Sequence, residues 1–161
     1  MPVFAPVNNP NDTSDQTVKN LPFFPGITVK GFRDSTRSQD TVTDGRVIEA
    51  LRSSIITVND QLSEWREAQE LLNYATLADV PSDDYMIEGG NAYSELTHHY
   101  YTAVYSFAKA SLLEKFRDVG TTTEGAQRAD DFEQSEEGYR REARKSIRKI
   151  LGKPFVTIEL I

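Results

Sequence analysis

The chain has 161 residues, and its 25 acidic against 18 basic side chains leave a formal charge of −7. That length supports one domain with a real core and is short for two, while the acidic balance argues against a general nucleic-acid-binding surface, which needs a net basic face. Cysteine is absent, which excludes a disulfide framework and a thiolate metal site and suits a reducing cytoplasm.

The opening MPVFAPVNNPNDTSDQ has neither the basic region nor the apolar run of a signal peptide. Residues 1–20, rich in Pro, Asn, Asp and Thr, hold too little apolar surface to order themselves and read as a flexible, partner-dependent arm. A single helical domain over 21–161 is expected to follow. Leu21, Phe23, Phe24 and Ile27 form an apolar cluster broken by Pro22 and Pro25, so the backbone there is extended or turned and the cluster serves as an anchor on the helices. The stretch 27–32, ITVKGF, alternates weakly and reads as a short strand that Gly31 weakens.

Thr43 is placed to cap a first helix over 43–74, with Asp44 favourable in its first turn and Val42 positioned to staple onto Val47. Val47, Leu51, Ile55, Val58, Leu62, Trp65 and Leu72 follow a three-and-four spacing, which makes one long amphipathic helix of ~45 Å. Residues 76–93, with Pro81, Gly89, Gly90 and Asn91, read as a loop holding at most one short helical turn.

The next helix, 94–118, is the expected centre of the fold. Leu96, Tyr100, Ala103, Phe107 and Ala110 make one stripe, and Tyr101, Val104, Tyr105, Ala108 and Leu112 a second, so neighbours are needed on two sides. Ser94 is its natural N-cap and Gly120 lies where a left-handed C-terminal residue would sit. It is too short and too polar to span a membrane. Thr121 with Glu124 forms a capping box for a further segment, read as helices 122–134 and 136–151, with Gly138 favouring a restart and the spacing from Phe132 to Tyr139 favouring continuity. Gly152 and Pro154 stop it. The closing run PFVTIELI is β-branched and alternates, a strand over 155–160 that pairs either with 27–32 or with another chain by β-augmentation. The sum is an all-α, mainly helical fold: an up-down bundle of three to four helices with an extended arm and a short C-terminal strand.

Along the last helical segment an acidic block with Glu124, Asp130, Asp131, Glu133, Glu136 and Glu137 precedes a basic one with Arg140, Arg141, Arg144, Lys145, Arg148 and Lys149. These charges suit the helix macrodipole on a solvated face. They equally suit head-to-tail contacts between copies, in which Asp130, Asp131 and Glu133 meet Arg140, Arg141, Arg144 and Lys145 of a neighbour around a ring. A third arrangement turns the basic face towards DNA in a lumen.

Chemistry is sparse. Glu95, His98 and His99 have helical spacing for a carboxylate and an imidazole on one face, but dimetal bundles repeat that pattern on a second helix and this chain holds no other histidine. No nucleophile elbow, P-loop or zinc-protease motif occurs, and nothing calls for a cofactor or an enzyme.

Several strings together go further: PFFPGITVKGFRDSTR, DTVTDGRV, LADVP, HHYYTAV, LLEKFRD, the triple threonine 121–123, YRREARKSIRKI and the closing TIELI. In their number, order and spacing they resemble the phage head completion protein family, the L protein of temperate contractile-tailed phages, from about residue 21 onward. The resemblance implies a virion protein, assembled in the bacterial cytoplasm, that joins the portal vertex after DNA packaging, seals the filled head and offers a surface to the tail or a neck protein. It also implies similarity to helical head-tail adaptors, which form a ring beneath a twelve-fold portal and are monomers before docking. No catalytic residues carry over. The docking element maps to Phe155, Val156, Thr157, Ile158, Glu159, Leu160 and Ile161, and no membrane or sequence-specific nucleic-acid contact is implied. The alternative reading is a cytoplasmic helical scaffolding or regulatory oligomer.

Overall fold

In a computed structural model, residues 16–36, 42–86, 92–117 and 123–154 are described, with the side chains of 85–86, 92, 116–117 and 123–134 left aside. The protein is mainly helical. Its elements are β1 (Thr17–Val18), β2 (Ile27–Thr28), α1 (Val29–Thr36), α2 (Asp44–Gln61), α3 (Ser63–Leu71), a 3-10 turn at Leu77–Asp79, β3 (Asp84–Met86), β4 (Ala92–Ser94), α4 (Glu95–Arg117) and α5 (Thr123–Ile150).

Helix α4 is the centre, packed chiefly against α5 and α2 and also touching α1, β4 and the 3-10 turn. Tyr100, Ala103, Val104, Ala108, Ala110 and Leu112 are buried on it, while Leu96, Tyr101, Tyr105 and Phe107 are half-buried, so both expected stripes find neighbours. Ser94 caps it as expected: its Oγ accepts from the Thr97 amide at 3.1 Å, the third helical position. The stop expected at Gly120 lies outside the described residues.

The stretch 27–32 is not a strand beyond Thr28. Thr28 instead caps α1, its Oγ1 accepting from the Gly31 amide at 3.0 Å, and Val29 and Phe32, three apart, bury one face. A Cβ on Gly31 would sit 2.7 Å from the Tyr105 hydroxyl, so glycine here permits close approach to α4. The partner of β2 is β1, antiparallel, with Thr17 opposite Thr28 and Val18 opposite Ile27. Residues 16–20 are thus built into the fold, with Val18 buried.

A closed polar ring ties this N-terminal part down. The Tyr100 hydroxyl donates to Asn59 Oδ1 at 2.7 Å and accepts from Asn20 Nδ2 at 2.7 Å, while Asn59 Nδ2 donates to Asn20 Oδ1 at 2.9 Å. Asn20 Nδ2 also reaches the Pro25 carbonyl at 2.8 Å. Phe24 stacks on the Tyr100 ring at 4.6 Å, and Phe23 meets Trp65 edge-on at 6.2 Å, so the expected anchor cluster holds α2, α3 and α4 together.

The long helix over 43–74 is two helices. Leu62 breaks the run with φ −101° and ψ 1°, and the Ser63 hydroxyl beside it donates to the Asp60 carbonyl at 2.8 Å. Val47, Leu51, Ile55, Val58 and Leu62 are buried as the spacing requires, but Leu71 and Leu72 are 84% and 63% exposed, so the stripe ends at Trp65. Thr43 occupies the cap position through its backbone: its carbonyl accepts from Arg46 and Val47, and its side chain makes no capping bond. Arg33 of α1 bonds the Val42 carbonyl at 2.7 Å and the Asp44 carboxylate, pinning α1 to the start of α2.

Two further differences concern the connections. The loop expected over 76–93 holds a hairpin, β3 and β4 pairing antiparallel with Tyr85 opposite Tyr93, after a 3-10 turn whose Thr76 and Asp79 form a capping box. The segment 122–151 is one continuous helix, α5, running through 134–138, and Gly138 lies on it with open space around its Cα. Gly152, at φ +65°, closes α5 as expected: Lys153 N reaches the Arg148 carbonyl at 2.9 Å and Gly152 N the Lys149 carbonyl at 3.1 Å, a Schellman pair. Asn73, at φ 69°, closes α3 the same way, with Tyr74 N on Gln69 and Asn73 N on Glu70.

Candidate docking surfaces

Four surfaces carry the sequence-derived candidates or the exposed chemistry. The first is the end of α5. The Schellman turn presents Gly152, Lys153 and Pro154 to solvent, and the Arg148 guanidinium clamps the Pro154 carbonyl at 2.6 and 3.0 Å. The chain therefore leaves the helix in a fixed place. Beside it, Lys145, Lys149 and Lys153 line a shallow groove of about 610 Å³. The docking candidates Phe155, Val156, Thr157, Ile158, Glu159, Leu160 and Ile161 lie outside the described residues.

The second is the charged run on α5. Arg140 is held within the chain, by Glu136 one turn earlier at 2.9 Å and by Glu114 of α4 at 2.9 Å. Arg144 pairs with Glu137 at 2.5 Å. Arg141 and Lys145 are exposed. Asp130, Asp131 and Glu133 belong to the same helix, towards its start, and their side chains lie outside the described residues. Acid near the N-terminus and base near the C-terminus of one 28-residue helix complement its dipole, and the Arg140–Glu114 pair adds a tie between α4 and α5.

The third is the histidine pair. Glu95 Oε1 lies 3.4 Å from His99 Nε2, and the His98 ring stands edge-on to His99 at 5.5 Å and to Tyr93 at 6.3 Å. Burial lowers the His99 pKa from its ordinary value, only partly offset by the Glu95 hydrogen bond. Among the described residues no three His, Asp or Glu side chains converge as a metal site would require.

The fourth surface was not apparent in the sequence. Tyr93, Tyr101 and Tyr105 form a stacked ladder, with centroids 6.1 Å apart at 6° and 5.8 Å apart at 27°. The ladder lines an open cleft of about 500 Å³ whose other walls are α1 at Gly31 and Ser35 and α5 at Tyr139. Burial pushes the Tyr93 hydroxyl up to about 12 and raises Tyr101 and Tyr105 as well, so all three remain protonated donors at neutral pH. The only hint of it in the sequence is the four-residue step between Tyr101 and Tyr105; the walls come from four elements distant along the chain.

None of these surfaces has the converging nucleophile, base and oxyanion donors of a catalytic centre. Their exposure to solvent and their charge and aromatic content suit contact with macromolecules. Residues 18–161 match the family described as phage head completion protein (GPL). The chain belongs to that family. A curated relative, the head completion/stabilization protein of Escherichia phage P2, is 36% identical over 146 residues, which cover 90% of this chain and 83% of the relative. No solved structure matches. Head completion proteins are structural proteins of the phage particle, so this chain is a virion protein. No helix among the described residues is long and apolar enough to cross a membrane.

Proposed function

We propose that this protein joins the portal vertex once DNA is packaged, stabilises the filled head and presents the surface to which a tail or neck protein attaches. The observation that carries this reading is the family match over 18–161, which takes in every described helix. Copies arrive as monomers from the host cytoplasm and form a ring on the twelve-fold portal. Phe155–Ile161, delivered from the rigid end of α5, supplies the docking strand, pairing by main-chain hydrogen bonds with an edge on the portal. Around the ring, exposed Arg141 and Lys145 face Asp130, Asp131 and Glu133 of the next copy, with Arg140 and Arg144 adding positive potential while staying bonded within their own chain.

The test mixes the purified protein with DNA-filled, tailless heads. Electron microscopy should show density at one vertex, and the packaged DNA should become protected from nuclease. A chain ending at Pro154 should keep its fold and lose both effects. Full activity of that shortened chain removes the docking role of Phe155–Ile161, and failure of the intact protein on competent heads removes the completion role.

A further inference from the structure

We infer that the leucine-tipped end of α3 docks into the lysine-lined groove at the end of α5 of a second copy, a head-to-tail contact between neighbours. This contact rests on the ring of the proposed function and names two surfaces that meet in it.

The two surfaces have opposite make-up. Leu71 and Leu72, 84% and 63% exposed, are the two most exposed large apolar side chains among the described residues. They sit on a fixed end, because the Asn73 and Tyr74 amides close α3 on the carbonyls of Glu70 and Gln69. Glu67, one turn before Leu71, and Glu70 place exposed carboxylates beside this tip, and Glu67 reaches Arg66 at a loose 3.7 Å. In the groove of about 610 Å³, Gly152 and Pro154 supply apolar lining and Lys145, Lys149 and Lys153, all exposed, supply positive charge. No carboxylate among the described residues pairs with these lysines. An apolar tip rimmed by acid thus meets an apolar hollow rimmed by base, an arrangement in which apolar contact gives the hold and charge selects the partner.

The position of the two surfaces makes the occupant a second copy. Helix α4 stands between α2, which α3 follows, and α5, so tip and groove lie on opposite sides of one chain. They share one end of the bundle: the Tyr100 hydroxyl, early in α4, donates to Asn59 near the end of α2, and Lys149 near the end of α5 lies close enough to His99 to oppose its protonation. Two different surfaces on opposite sides make a heterologous contact that repeats from copy to copy and forms a ring when the rotation closes. Lys149 lies about 80° round α5 from Arg141, so the contact leaves Arg141 to the charge pairing proposed above. Two leucines and a few exposed charges are too small an interface to hold a pair in solution, and they gain strength where neighbours are already held side by side.

The chain lacks cysteine, so Leu71→Cys and Lys153→Cys in one full-length chain give a single thiol on the tip and a single thiol at the groove, both at exposed positions. On DNA-filled heads, brief oxidation with copper phenanthroline should join these copies into a ladder longer than a dimer, and either substitution alone should give no ladder. Reversing the tip with Glu67→Lys and Glu70→Lys should lower the number of copies held at the vertex by ~10-fold. Adding Lys149→Glu and Lys153→Glu to that chain should restore it, and all four positions are exposed, so the fold is kept. Vertex density without the ladder overturns this contact and leaves the ring standing, whereas no vertex density for the unsubstituted protein removes the ring and this contact with it. A product joining Leu71→Cys to itself or to a head protein gives the tip another partner and overturns the proposal, as does failure of the combined charge exchange to restore binding.

Discussion

Tyr100→Phe isolates the polar ring that fastens the N-terminal part of the fold to its central helix. The substitution keeps the buried ring and its stacking on Phe24 at 4.6 Å and removes only the hydroxyl. Two hydrogen bonds disappear, each contributing a net ~1 kcal/mol. Asn59 Oδ1 loses its donor, whereas Asn20 Nδ2 retains the Pro25 carbonyl, so one desolvated acceptor adds ~1 kcal/mol at the low end of its range. The expected loss is therefore ~2–3 kcal/mol, read as a fall of about 1 M in the urea midpoint at an unchanged slope of ~2 kcal/mol/M. The Asn20→Ala variant should be coupled to it in a double-mutant cycle, because the two share one ring. Alkaline titration gives a second readout. Burial raises the Tyr100 pKa above the ordinary 10, so the folded state holds this proton more tightly than the unfolded one. Its contribution is complete below about pH 10 and is lost above it at ~1.4 kcal/mol per pH unit, and the Phe variant should show a shallower alkaline decline. A destabilisation under ~0.5 kcal/mol with no coupling to Asn20→Ala would refute the closed ring.

Two other substitutions test separate features. Gly138→Ala should stabilise the protein by ~0.5–1 kcal/mol in the same unfolding assay, since a Cβ there meets nothing within 4 Å and α5 is continuous; a loss of stability would mean that the helix breaks at 138. For His99, burial lowers the folded pKa below the unfolded 6.5, so its contribution is present above about pH 6.5 and falls as pH drops through the depressed value. Glu95 on its own helix favours the charged form, while His98 and Lys149 of α5 oppose it. The slope of stability against pH just below 6.5 should be shallower in His99→Gln; equal slopes in the two proteins would remove His99 as its source.

What the sequence made legible was local. Ser94 and Gly152 announce the ends of α4 and α5 because a cap is decided within a few residues, and the two-sided apolar pattern from Leu96 to Leu112 requires a central helix whatever surrounds it. The errors arose where local signals competed. Ile27, Thr28 and Val29 are β-branched and suggest one strand, yet only Ile27 and Thr28 pair as β2, while the Thr28 cap and burial of Val29 with Phe32 start α1. The α2–α3 break is a local change of backbone at Leu62, with φ −101° and ψ 1°, which leaves Leu62 buried and so keeps the amphipathic period unbroken. In β3 and β4 only three residues pair on each side, too few for alternation to stand out. The tyrosine cleft is the most distant from any sequence signal, because Gly31, Tyr93, Tyr101 and Tyr139 meet only after α1, β4, α4 and α5 have packed.

The self-sufficiency of the core has a physical consequence for the proposed assembly. Helix α4 is buried by α2 on one side and α5 on the other, so the domain needs no partner to bury its largest apolar element. In the proposed docking, a C-terminal segment that ordered on binding would give up part of its interaction energy to lost chain entropy, which would keep one copy's hold weak and reversible. In the proposed ring each docked copy would raise the effective concentration of contacts for its neighbours, so a contact weak in one copy would become secure when many sit together. The Schellman closure at Gly152 and the Arg148 clamp on Pro154 fix where the C-terminal segment departs, which limits the orientations it must search.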